Sequence, residues 1–410
     1  MKLKRLTFQP HESYEEWETL DHHVANQFLL WIEKQQHHID DMADDETPGP
    51  ILLDKCAALK LVSSFFTDEW AATDPGVVHT KQITGGLVNS LQLIWRDNAA
   101  VAEPSAVLIR HFGRSGEIEE PPSTSTTLSA AQQAIVYWEM SRRGWGPQVY
   151  GFFAGGRLEE YYDDSHTLSS AESMQPGVRG DVARAYARLH SLRLPLRRDS
   201  FQLILREYIE NVRSKDTGVV RSLRAINHPV AKQYAALFEA TDWVAELQWV
   251  AGQFEKHDCK ITVTHGDTNY LNVLLTAASD NRVILIDYET VCYSYRGFDV
   301  GGHFTERMYC YSQPESQFTG FSAPDDEEQR AFCEAYLREL RALGEDLGER
   351  DTVEQLVLEA SIGRLWHSLF VNMMCTVFDE VELDPLFLET LVHMMETYWR
   401  LKGEFVAAHG

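Results

Sequence analysis

The stretch HGDTNYLN, His265 to Asn272, sits just before a run of apolar residues, and LIDYE, Leu285 to Glu289, follows it. The first stretch places a His, an acid and an amide within eight residues. A Gly-containing turn whose Asp and Asn cap backbone groups is the plain alternative. The joint pattern points elsewhere. An Asn stands five residues after Asp267, and the apolar run VILI ends in Asp287 after a short hairpin's length. That combination is far rarer by chance than HGD alone.

Phosphoryl transfer needs few groups, but each must be placed. An acid orients the acceptor hydroxyl and takes its proton, oxygen ligands hold Mg²⁺ against the phosphates, and backbone or basic donors cradle the nucleotide. Protein kinases use H-R-D-x-x-x-x-N followed by a second Asp on the next hairpin. His265, Asp267 and Asn272 reproduce that spacing as H-x-D-x-x-x-x-N, and Asp287 takes the second acid's place. Asp267 is therefore the expected base. Asn272 and Asp287 are the expected metal ligands, because hard oxygen donors suit Mg²⁺. If the strand continues past Asp287, Glu289 lies on the same face and joins the metal set.

The order of elements around these stretches fits. ANQFLLWIEKQQ carries a helical apolar face, HHIDDMADDETPGP (His37 to Pro50) reads as an acidic loop, and ILLDKCAALKLVSSFF resumes a helix. VVHTKQIT, NSLQLIW and AVLIRHFG read as strands. GRSGEIEEPPSTSTT is a loop, LSAAQQAIVYWEMSRRG a helix, and PQVYGFF and RLEEYY are short strands. Helices dominate from VRGDVARAYARLHSL onward, interrupted by ITVTH, NVLLT and RVILID, and Asp351 with Glu354 reads as a helix start. The expected organisation is a helical extension over 1–74, a strand-rich nucleotide-binding lobe over 75–162 and a helical lobe over 163–410. The fold class is α+β: a bilobal, protein-kinase-like arrangement with a small antiparallel-sheet lobe and a large, mainly helical one.

Bulk composition limits the partners. The chain has 410 residues, 37 basic and 62 acidic, for a net charge of −25. That field disfavours nucleic acid and anionic membranes and suits a cationic small molecule, although solubility alone also explains it. Cys56, Cys259, Cys292, Cys310, Cys333 and Cys375 are widely spaced, with no C-x-x-C pair, which favours a reduced compartment. The N-terminus MKLKRLTFQPHESYEEWETL lacks the apolar run of a secretory signal, and no window approaches a membrane span. A cytoplasmic protein without stable membrane insertion is expected.

RVILIDYETVCYSYRGFDVGGHFTERMYCY, Arg282 to Tyr311, resembles the choline/ethanolamine kinase family, whose signature reads I-D-[FY]-E and then Y-N-Y-R-G-F-D-I-G-N-H-F-x-E. KQITGGLVNSL resembles its nucleotide loop, VLIRHFG the strand that follows, and GPQVYGFFAGGRLEEYY the end of the small lobe. The resemblance runs from about residue 55 to the C-terminus. It implies ATP- and Mg²⁺-dependent phosphorylation of an amino alcohol, closer to choline kinase. It also implies nucleotide contacts from Thr84, Gly85, Gly86, Leu87, Val88, Asn89, Ser90, Arg110, Glu160, Asn269 and Asp287. Gly85-Gly86 would let backbone approach phosphates closely, and Arg110 would supply a fixed cation.

For the acceptor, the matching positions are Glu306, Tyr311 and Trp366 beside the base Asp267, with Tyr309 flanking. Carboxylates and aromatic faces are what hold a quaternary ammonium. The chain departs from the family at several places. Gly363-Arg364-Leu365-Trp366 stands for W-G-L-W, Arg307 replaces a usual Trp, paired Tyr residues are not evident in FDEVELDPLFL, and Gln133 stands where kinases place a Glu.

The expected activity is phosphorylation of choline to phosphocholine, the first step of the CDP-choline route. Ethanolamine or dual specificity is the nearest alternative, and a catalytically weak pseudokinase-like binding protein is another. A homodimer is expected by resemblance.

Overall fold

The structure is a computed structural model, which describes residues 52–410 apart from 84–89, 98–101, 112–127, 129, 154, 279–281, 314 and 378–383. The expected helix over ANQFLLWIEKQQ, the acidic loop after it and the GRSGEIEEPPSTSTT segment lie outside the described residues, as do Thr84 to Asn89. The chain divides into two compact units, one of Met1–Gly116 with Tyr150–Leu158 and one of Glu117–Val149 with Glu159–Gly410.

In the smaller unit, helix α1 (Lys55–Phe65) starts one residue after Asp54, whose carboxylate accepts the Ala57 N–H at 2.8 Å. Strands β1 (Val78–Ile83), β2 (Ser90–Arg96), β3 (Ala106–His111), β4 (Val149–Phe153) and β5 (Gly156–Glu160) form a sheet in the order β1-β2-β3-β5-β4. β1 with β2 and β2 with β3 run antiparallel. Their inward residues, Val78, Ile94, Val107, Ile109 and Leu158, close a core with Ala58, Val62 and Trp70. Gly156 is required there, because a Cβ would lie 2.3 Å from the Arg110 carbonyl oxygen.

The larger unit is mainly helical. Helix α2 (Ala130–Arg142) groups here rather than with the sheet. One bond within that unit is from the Tyr288 N–H, which donates to the Tyr137 hydroxyl at 3.2 Å. Next come β6 (Ser165–Thr167), α3 (Ser170–Ser173), α4 (Pro176–His190), α5 (Ser200–Ala225), α6 (Pro229–Ala240) and α7 (Trp243–Lys256). β7 (Ile261–Thr264), β8 (Val273–Thr276), β9 (Val283–Leu285) and β10 (Cys292–Tyr295) follow, pairing as β10-β7 and β6-β8-β9. The chain ends in α8 (Arg296–Glu306), α9 (Asp326–Ala342), α10 (Val353–Val377) and α11 (Pro385–His409).

α8 and α10 meet backbone to backbone. A Cβ at Gly363 would lie 1.6 Å from the Gly297 carbonyl oxygen, and one at Gly301 would lie 2.3 Å from that of Ala360. Arg296, fully buried, ties the start of α8 to Glu359 at 2.7 and 2.9 Å and also binds Asp351. Asp351 is therefore not the cap of α10. It serves Arg296 and Lys260, while Thr352 Oγ1 accepts the Gln355 N–H at 3.1 Å as the cap.

Candidate active site

The loop from His265 to Asn272 joins β7 to β8 and is fixed from below. Asp299, on α8 and fully buried, accepts the His265 N–H at 2.6 Å and the Gly266 N–H at 3.1 Å. Its Oδ2 also meets His190 Nε2 at 2.9 Å, and His190 Nδ1 meets the Tyr336 hydroxyl at 2.8 Å. Burial pushes the Asp299 carboxyl up. The bond to His190 and the charges of His190 and His265 outweigh that and hold it below its ordinary value. Gly266 has a φ of +82°, and a Cβ there would lie 2.5 Å from the Thr290 carbonyl oxygen. No other residue fits that bend without strain. His265 is structural: its ring Nε2 bonds the Ile286 carbonyl at 2.9 Å, and its own carbonyl accepts from Thr290 Oγ1 at 2.8 Å.

Above this anchor Asp267 is exposed. Asn272 Nδ2 donates to its Oδ2 at 2.8 Å, and the Asn269 N–H to its Oδ1 at 3.2 Å. The Asn269 amide oxygen accepts the Leu271 N–H at 2.9 Å and starts the short 3₁₀ turn Tyr270–Asn272. The β8–β9 hairpin brings the second acid alongside. Val273 pairs with Leu285, and the Ile286 N–H donates to the Asn272 carbonyl at 3.0 Å. Asp287 follows in the left-handed region, φ 66° and ψ 68°, which Asp tolerates better than most residues. Its Oδ1 is buried and has no hydrogen-bond partner among the described residues.

Glu289 needs a correction. β9 stops at Leu285 and Tyr288–Thr290 is a 3₁₀ turn, so the shared strand face that linked Glu289 to Asp287 does not exist.

At the expected acceptor end, Glu306 closes α8 and is 3% exposed. Its Oε1 meets His367 Nε2 at 2.9 Å and accepts the Tyr311 hydroxyl at 3.2 Å. Burial, then the charge of Glu306, raises the Tyr311 phenol well above its usual range, and Asp267 adds to the effect. Tyr311 therefore stays a donor and feels both carboxylates. Tyr309 stacks on it at 6.3 Å and bonds His393 through its hydroxyl at 2.8 Å.

Trp366 is not brought to this group. It is 1% exposed and packs on Phe201 at 4.8 Å and Tyr208 at 6.4 Å inside the helical core. The neighbouring His367, which sequence reasoning passed over, takes the place beside Glu306. Arg307 does not oppose a cation there: its guanidinium is held by Glu328 at 2.9 and 2.8 Å, and the pairing lowers the Glu328 carboxyl.

Of the remaining positions, Ser90 opens β2 opposite His111, Arg110 is buried on β3, and Glu160 accepts the Gln148 N–H at 3.0 Å. Gln133 donates to the Leu128 carbonyl at 3.3 Å. Among the described residues no three His, Cys, Asp or Glu side chains form a ready-made metal cluster.

The choline/ethanolamine kinase family model matches residues 80–383. The chain belongs to the choline/ethanolamine kinase family. It is 26% identical over 352 residues to a choline/ethanolamine kinase of Rattus norvegicus, covering 82% of this chain and 84% of that one. It is also 26% identical to choline kinase A2 of Caenorhabditis elegans, covering 73% and 74%. Among solved structures, a choline kinase from Cryptosporidium parvum superposes with a TM-score of 0.63 at 17% identity, covering 87% of this chain and 97% of that one. A Plasmodium vivax ethanolamine kinase superposes with a TM-score of 0.55 at 16% identity, covering 89% and 94%. The fold is the protein-kinase-like α+β fold read from the sequence, and the family is one of small-molecule kinases.

Proposed function

We propose that this protein transfers the γ-phosphoryl group of ATP to the hydroxyl of an amino alcohol, giving phosphocholine from choline and phosphoethanolamine from ethanolamine. The observation that carries the reading is the exposed Asp267, fixed by Asn272, in the loop that leads into the hairpin bearing Asp287, whose buried oxygen has no partner among the described residues. Asp267 orients the acceptor hydroxyl and takes its proton. Asn272 spends its Nδ2 on Asp267, which leaves its amide oxygen for a metal.

A buried carboxylate oxygen without a partner costs free energy unless a cation or donor meets it. Asp287 and Asn272 thus fit Mg²⁺, which takes few protein ligands and fills its shell with water and phosphate. Bound there, Mg²⁺ would neutralise charge on the phosphates. Glu289 enters the metal set only as a neighbour in the turn. Nucleotide contacts are assigned to Thr84 to Ser90, Arg110, Glu160 and Asn269. Glu306 and Tyr311 receive the acceptor's cation.

A second reading, with ethanolamine as the better acceptor, is favoured by the position of Trp366 in the core instead of beside Glu306. A cytoplasmic location and a homodimer belong to the proposal too. Among the described residues no helix is long and apolar enough to cross a membrane.

The test is ATP consumption by the full chain with Mg²⁺ and a panel of amino alcohols. Turnover on choline or ethanolamine is expected. Folded protein that turns over none of them overturns the reading. Mg²⁺-ATP should also raise the melting temperature, which a binding protein without a metal site would not show.

A further inference from the structure

The acceptor end holds one residue whose chemistry the proposed reaction does not require. His367 and Glu306 both have side chains 4% exposed, and the bond between them is 2.9 Å long. The Tyr311 hydroxyl donates to the same oxygen, Oε1, and Oε2 takes neither bond. A neutral imidazole that donates through Nε2 keeps a lone pair at Nδ1. That Nδ1 is buried without a partner among the described residues, and so is Thr268 Oγ1. Both face the same small residue: a Cβ at Gly302 would lie 3.1 Å from His367 Nδ1 and 2.4 Å from Thr268 Oγ1. Thr268 directly follows the base Asp267. The imidazole is therefore lodged between the base loop and Glu306, not at the surface.

Two donors on one oxygen hold a carboxylate in a fixed plane and aim its other oxygen. An oxygen aimed in this way rewards a ligand that brings an N–H to it. A quaternary ammonium brings none and depends on aromatic faces. α10 supplies few of those: Trp366 is in the core, and Gly363 has no room for any side chain.

We propose that His367 is a specificity-determining residue of the acceptor site. It orients Glu306 so that ammonium groups carrying N–H bonds are preferred to quaternary ones. This rests on the functional reading above. Acceptors are then ranked by their N–H count: ethanolamine, N-methylethanolamine, N,N-dimethylethanolamine and, last, choline. Ethanolamine gains the hydrogen bond to Oε2, whereas choline keeps only the attraction of the charge.

The experiment is steady-state kinetics on those four acceptors with saturating Mg²⁺-ATP. The full chain is compared with His367→Leu and His367→Gln, and folding is checked by thermal melting. The wild type should lose roughly tenfold in kcat/KM from ethanolamine to choline, the worth of one charge-assisted hydrogen bond. His367→Leu should raise the KM for ethanolamine by a similar factor, leave kcat within about threefold and flatten the series. His367→Gln, whose amide can still donate to Glu306, should restore the ranking. A merely structural histidine would change melting without changing the ranking.

If the wild type prefers choline, or if folded His367→Gln loses the ranking along with His367→Leu, the inference is overturned while the kinase reading stands. If His367→Leu fails to fold, the wild-type series and His367→Gln still decide. No turnover on any of the four sinks the functional reading, and this inference with it.

Discussion

The proposed base loop and the proposed acceptor end each hang on one buried carboxylate of α8, and the two carboxylates are used differently. Asp299 spends both oxygens inward, on two backbone N–H groups and His190. Glu306 spends only Oε1, on His367 and Tyr311. A carboxylate saturated by its own fold is a strut, and one left half-used is free to serve as the proposed receptor. The two stand seven positions apart, two turns of one helix, which separates the part that must not move from the part proposed to meet an acceptor.

The most severe break is at the group the strut holds in place. Asp267→Ala should lower kcat by roughly 10²–10⁴-fold, the usual contribution of a positioned base, and shift the melting temperature little because the side chain is exposed. Retained turnover would remove Asp267 from the role of base.

Asp299→Ala tests the strut itself. It leaves His265 N–H, Gly266 N–H and His190 without their acceptor, so a stability loss of roughly 3–5 kcal/mol is expected in urea unfolding. The sign of the pH dependence follows from the lowered carboxyl. Its contribution is present above the unfolded value of about 3.9 and disappears as pH falls through the lower folded value. The wild type should therefore weaken steeply below about pH 4, and Asp299→Ala less so. Equal acid sensitivity in both would show that other carboxylates dominate.

Glu306→Gln tests the receptor. The amide keeps the shape but loses the charge, so the acceptor KM should rise about tenfold with kcat within a few-fold. A large fall in kcat at unchanged KM would place Glu306 in the chemistry instead.

The same contrast marks what could be read from the chain beforehand. Asp267, Asn272 and Asp287 were legible because one hairpin and one loop of fixed spacing bring them together. The alternation of β1 to β3 and the helical faces that follow were legible for the same local reason. The strut was not. Asp299 reaches His190 across 109 residues, and His190 reaches Tyr336 across 146. No spacing rule spans such distances. The grouping of α2 with the larger unit rests on Tyr137 and Tyr288, 151 residues apart. The strand face expected to join Glu289 to Asp287 failed because the strand ended before Asp287, an event set by the turn at Tyr288.

Trp366 gives the smallest expected effect and the sharpest lesson. Matching W-G-L-W to residues 363–366 demands a side chain at Gly363, where a Cβ would sit 1.6 Å from the Gly297 oxygen. Matched on its glycine instead, the pattern puts its aromatic positions on Ile362 and Leu365, both buried aliphatics. One residue along a helix turns a side chain by about 100°, enough to exchange a pocket for a core. Trp366→Phe should therefore cost about 1–2 kcal/mol of stability through the lost packing on Phe201 and Tyr208. The KM for either amino alcohol should stay within about twofold, measured on the same folded preparation. A KM that rises tenfold while stability holds would put the indole at the acceptor and make the half-used carboxylate only one part of an aromatic cage.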